Sequence, residues 1–99
     1  MFFAAIAKYT PDASVIAQAR PAHRQYLTGL RDRNKLVISG PFADDDGAIL
    51  VYEAETAEQA DAMVREDPFA KHGVFLSWEI RPWNVIFRNE NLLCGEKKR

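Results

Sequence analysis

Cysteine is almost absent: Cys94, in a polar tail, is the only one in 99 residues. That excludes an internal disulfide and a thiolate metal cluster, and it fits a reducing cytoplasm. Neither sign of charge is in excess. With 13 Lys and Arg against 14 Asp and Glu, the chain carries a net charge of −1 and lacks the basic surplus of a dedicated nucleic-acid binder. Long hydrophobic runs are missing as well. Met1 to Ala7 is the longest apolar stretch, but no basic residues precede it and Lys8 and Tyr9 follow at once, so it reads as a strand and neither a leader nor a membrane span. A phosphate loop, a nucleophile motif and a metal cage are also wanting, and no cofactor is expected. The run Asp44-Asp45-Asp46 lacks the spaced ligands and closing glutamate of a calcium loop and reads as a solvated turn.

What remains is 47% hydrophobic and 27% charged, an ordinary globular composition for one domain, near the lower size at which a core is sufficient by itself. Phe2 to Lys8 is the first predicted strand, closed by Tyr9-Thr10-Pro11-Asp12. From Ser14 to Arg33 apolar residues recur at helical spacing. Pro21 interrupts that pattern, so the main helix is expected to start there, after a looser turn. Leu36 to Ser39 reads as a strand stopped by Gly40-Pro41, and Ala48 to Glu53 as another across an acidic turn. Thr56-Ala57-Glu58-Gln59 matches a capping box opening a helix that runs to about Asp67, where Pro68 ends it. Val74 to Pro82 supplies the last strand.

The order βαββαβ is that of the ferredoxin-like α+β fold, in which two crossovers place both helices on one face of a four-stranded antiparallel sheet. The first and third strands are apolar at nearly every position, so the other face needs cover as well. A second copy of the chain in a homodimer is the natural cover; the alternative is that Trp83 to Leu93 folds back over it.

Helical periodicity turns His23 inward on the first helix and Asp67 inward at the end of the second, where an ionisable group is costly unless answered. Topology puts the start of one helix and the end of the other at one edge of the sheet. Tyr9, Ser39, Gly40 and Pro41 are expected at the same rim, with Phe69 near enough to line a pocket. His23 is the candidate general base and Asp67 the carboxylate that fixes its tautomer; Ser39 is a candidate ligand for a substrate oxygen. Each residue has a plainer reading: Asp67 as a local cap or partner of Lys71, His23 as a satisfied core histidine, Gly40-Pro41 as a turn alone. His72 reads as a solvent-exposed loop residue, and a His23, His72 and Asp67 metal site has no supporting ligand spacing.

Arg20-Pro21-Ala22-His23, Ser39-Gly40-Pro41, Glu66-Asp67-Pro68-Phe69, Gly73-Val74-Phe75 and Arg81-Pro82-Trp83 occur in an order and spacing that resembles the YciI-like, or YCII-related, family. The resemblance implies a ferredoxin-like domain assembled as a dimeric α/β barrel with an active site around His23 and Asp67. Relatives include a dehydrochlorinase of chlorinated aromatic breakdown, and the wider superfamily includes muconolactone isomerases. Residues 84–99 extend further than the family pattern.

The expected function is cofactor-independent proton transfer, of lyase or isomerase type, on a small cyclic or aromatic oxygenated metabolite. Two other readings stay open: a non-catalytic module binding a small molecule or protein through the same mouth, and a structural dimer with no ligand site.

Overall fold

A computed structural model describes residues 1–93; Cys94 and the charged terminus Glu96 to Arg99 lie outside them. The elements are β1 (Phe2–Tyr9), α1 (Ala13–Asp32), β2 (Leu36–Pro41), β3 (Gly47–Glu53), α2 (Ala57–Glu66), α3 (Pro68–Lys71), β4 (Phe75–Trp83) and α4 (Glu90–Leu93). The four strands form one antiparallel sheet in the order β2-β3-β1-β4. This is the expected α+β architecture, with two short helices added.

Alternation along β1 separates the two faces. Phe3, Ala5, Ala7 and Tyr9 are buried toward the helices, whereas Ile6 and Lys8 are exposed on the other side. The helix side holds the core: Ala5, Ala7 and Tyr9 of β1, Leu50 and Tyr52 of β3, Phe75 of β4, with Ile16, Ala19, Leu30, Val64 and Phe69 packed over them.

The far face is apolar toward β2 and β3, where Val51 is buried but Ile38 and Ile49 beside it are exposed, and charged toward β4, where Lys8, Glu79 and Arg81 lie. Ile6 stands opposite Ile49 across the β1/β3 ladder, and both are exposed, as are Ile38 and Trp83. The segment after β4 does not fold back over them, because Ile86 and Phe87 are themselves 77% and 93% exposed. No helix among the described residues is long and apolar enough to cross a membrane.

Two boundaries differ from expectation. Helix α1 starts at Ala13 and runs through Pro21, with Asp12 as its N-cap, accepting from the amides of Ser14 and Val15 at 3.0 and 3.3 Å. Proline costs a helix the bond to the carbonyl four residues earlier. Here that carbonyl belongs to Ala17, and both Ala17 and Pro21 lie on the exposed side, where water replaces the lost donor. Strand β2 likewise continues through Gly40 and Pro41, which pair with Ile49 and Ala48. Gly40-Pro41 is therefore no turn. The strand is at the sheet edge, where a missing N–H can point away from the ladder.

The reversal comes one residue later. Phe42 donates to Gly47 at 2.8 Å, Asp45 donates to Phe42 at 2.9 Å, and the Asp44 carboxylate accepts from the Asp46 amide at 3.0 Å. Gly47 is required at its position, since a Cβ there would collide with the carbonyl of Ala7. Thr56 caps α2 by accepting from Gln59 at 3.1 Å. The Gln59 side chain reaches back to the Glu55 amide at 2.9 Å, a residue before the one a capping box would engage.

Candidate active site

Proline at position 68 does two things. It drives Asp67 into an extended conformation, φ −66° and ψ 133°, which ends α2. It also opens α3 immediately, since a ring with φ already fixed and no N–H suits a first helical turn. Asp67 is thereby the C-cap of one helix and the N-cap of the next, and its Oδ1 accepts from the Phe69 amide at 2.9 Å. The plainer reading of Asp67 as a local cap is thus correct but incomplete. Lys71 is not its partner and pairs with Glu66 at 3.3 Å.

The same Oδ1 lies 2.7 Å from Nδ1 of His23. Asp67 is wholly buried and His23 is 9% exposed, so this is a buried pair tying α1 to the α2/α3 junction. Since a carboxylate only accepts, Nδ1–H donates and the lone pair of the neutral imidazole is left on Nε2. That nitrogen makes no hydrogen bond among the described residues and is not among the fully enclosed polar atoms without a partner. The His23 side chain as a whole is 11% exposed.

Aromatic rings hold the imidazole in place. Phe69 lies parallel to it, with centroids 3.7 Å apart and planes inclined by 2°. Phe75 stands edge-on at 6.3 Å, and Tyr9 packs edge-on against Phe69 at 5.6 Å. Of the residues expected at the rim, Tyr9 and Phe69 are therefore gathered around the pair. Ser39, Gly40 and Pro41 are not: β2 is two strands from β1, and Ser39 is in register with Leu50 and so with Ala5, four residues short of Tyr9. No hydrogen bond among the described residues links them to His23 or Asp67.

Three phenols register the buried carboxylate. Burial pushes the Tyr26 hydroxyl up to about 12, and the charge of Asp67 adds to it; Tyr26 donates to the Met63 carbonyl at 2.6 Å. Burial and then Asp67 likewise raise Tyr9 and Tyr52. The second oxygen of Asp67 and the Tyr52 hydroxyl are both buried without a hydrogen-bond partner among the described residues.

Sequence reasoning missed Phe75, Tyr26 and Tyr52 as neighbours of the pair. Phe75 is out of phase with Trp78 and Ile80 because the β1/β4 register shifts between Lys8 and Tyr9, so strand alternation could not have found it; the tyrosines had no signal beyond sitting on apolar faces. No group of three or more His, Cys, Asp or Glu among the described residues is arranged to hold a metal ion.

Known proteins share this arrangement of elements. Residues 1–84 match the YCII-related domain. The chain is 30% identical over 78 residues to Protein YciI of Escherichia coli O6:H1, covering 69% of this chain and 80% of that one, and equally to Protein YciI of Shigella flexneri. Among solved structures it resembles the 5-chloro-2-hydroxyhydroquinone dehydrochlorinase TftG from Burkholderia phenoliruptrix AC1100, in complex with 2,5-dihydroxybenzoquinone. That likeness has a TM-score of 0.72 and 30% identity, over 85% of this chain and 94% of that one. With a match that spans most of its length and a fold that agrees, the chain belongs to the YCII-related domain family.

Proposed function

We propose that this chain is a cofactor-independent enzyme of lyase or isomerase type that moves a proton on a small cyclic or aromatic oxygenated molecule. The observation that carries the reading is the 2.7 Å bond from His23 Nδ1 to Asp67 Oδ1, which leaves Nε2 without a hydrogen-bond partner among the described residues. In it, Nε2 takes a proton from the substrate. In a lyase the electron pair left behind expels a leaving group as its anion and the proton on Nε2 passes to solvent; in an isomerase the pair shifts along a conjugated double bond and Nε2 returns its proton to the carbon that receives it. The imidazolium that forms stays opposite the Asp67 carboxylate, and the flat face of Phe69 keeps the ring from turning away. Asp67 and Phe69 are positioning residues. Ser39, Gly40 and Pro41 have no tie to the pair, and the reading does not require them.

Likeness to a dehydrochlorinase holding a dihydroxybenzoquinone supports the substrate class. The same reading includes a homodimer closed over the far face, supported by the opposed and exposed Ile6 and Ile49 with Ile38 beside them.

The test is incubation of the pure protein with chlorinated hydroquinones, hydroxylated quinones and unsaturated lactones, with products followed by mass spectrometry. Product formation is expected to fall by a factor on the order of 10² to 10⁴ in His23→Ala. Saturable binding with no product from any of these compounds would establish the binding-module reading instead.

A further inference from the structure

A cleft of about 410 Å³ lies against α1, lined by Val15, Gln18, Ala19, Ala22 and His72. None of these residues takes part in the proton transfer. Its size is that of a small-molecule site, and its composition is the usual one, an apolar wall with a few polar groups.

Its position relative to His23 follows from the two helices. Ala19 is one turn before His23 on α1, and Ala22 is the residue before it. Helical side chains lean toward the N-terminus of their helix, so the imidazole of residue 23 covers the turn at Ala19 and Arg20. From the other side, Phe69 of α3 stacks on His23, and His72 is the C-cap of that same short helix. One turn of chain thus carries the carboxylate that holds His23 at its beginning and a second imidazole at its end.

We infer that this cleft, which His23 adjoins along α1 without lining it, binds a planar six-membered ring, and that His72 recognises an acidic oxygen on that ring. The inference rests on the proton-transfer reading for its substrate class, but its evidence is the cleft. Methyl and isopropyl groups of Ala19, Ala22 and Val15 offer a low wall that a ring can lie against. Gln18 and His72 supply donors for its oxygens, and among the described residues no carboxylate lines the cleft to repel them. Arg20, between Ala19 and Ala22, is near enough to Tyr9 for its charge to act on the phenol and adds a positive charge on the same helix.

The experiment is an amide NMR titration of the isotope-labelled protein with 2,5-dihydroxybenzoquinone. Shifts are expected at Val15, Gln18, Ala19, Ala22 and His72. Ala22 and His72 are exposed, so Ala22→Phe and His72→Ala should fold. Ala22→Phe fills the cleft and should weaken binding by about tenfold or more, and His72→Ala, which loses one hydrogen bond to a charged oxygen, by roughly tenfold. Binding at the cleft without product from any candidate substrate supports this inference while sinking the proton-transfer reading. Turnover that is lost in His23→Ala but keeps the same KM in Ala22→Phe overturns it and leaves that reading standing. Absence of shifts along the cleft also overturns it.

Discussion

His23 and Asp67 are separated by 44 residues of sequence and by 2.7 Å in space. The carboxylate also caps α3 through the same oxygen, so one atom joins the middle of α1 to the junction of two other helices. Removing it has both a structural and a chemical cost.

Asp67→Ala leaves a buried imidazole N–H and the Phe69 amide without their acceptor. Leaving a buried donor unsatisfied typically costs about 1–3 kcal/mol, and here two donors lose their acceptor. Chemical denaturation should show a loss of that size. A loss under about 1 kcal/mol would mean that the pair contributes no more than a surface ion pair does.

Phe69→Leu preserves apolar bulk but removes the flat surface on which His23 rests. Stability should fall by about 1 kcal/mol. The His23 ring resonances should move as the parallel ring current disappears, which NMR reads independently of stability.

Tyr26 gives a pH prediction. Below its ordinary value of 10 the phenol is neutral whether the chain is folded or not. Between 10 and about 12 the unfolded chain releases the proton and the folded chain keeps it, so stability should fall as pH rises through that window. Tyr52 acts in the same direction. In Tyr26→Phe the decline should be shallower, on top of about 1 kcal/mol lost with the bond to Met63. Unfolding curves across alkaline pH check both.

Ile49→Lys places a charge in the middle of the far face, opposite Ile6. Because Ile49 is exposed within one chain, the fold should survive. If the proposed homodimer closes over this face, light scattering should show a mass of two chains for the parent protein and one for the variant; the same mass for both would overturn that assembly.

Pro21→Ala supplies the amide donor that the Ala17 carbonyl lacks. The proline ring is exposed, so alanine there forfeits no buried packing, and thermal melting should report a gain of about 1 kcal/mol or more.

Much of this was legible in the chain. The 3.6-residue period turned His23 inward and the Asp67-Pro68 pair marked the end of α2, which together with the order of elements located the pair. The failures share a cause. Pro21 and Gly40-Pro41 look like breaks, yet both prolines are exposed, Pro21 on the outer side of α1 and Pro41 on an edge strand, where the rest of the element can absorb the cost of the missing donor. Exposure is a tertiary property that the local pattern does not contain. The rim was wrong at Ser39 for a related reason: shared strand direction says nothing of lateral distance, and β3 stands between β2 and β1. Helix α3, at four residues, is too short for any periodicity to show.

The length of chain between the two partners also times the appearance of the site. While a ribosome is still making the segment after α1, His23 has no carboxylate to orient it. It gains one only after the second crossover has docked and α3 has turned over the first helix. Contacts so remote in sequence form late. A copy clipped before Asp67 would therefore carry His23 with no acceptor for its Nδ1–H.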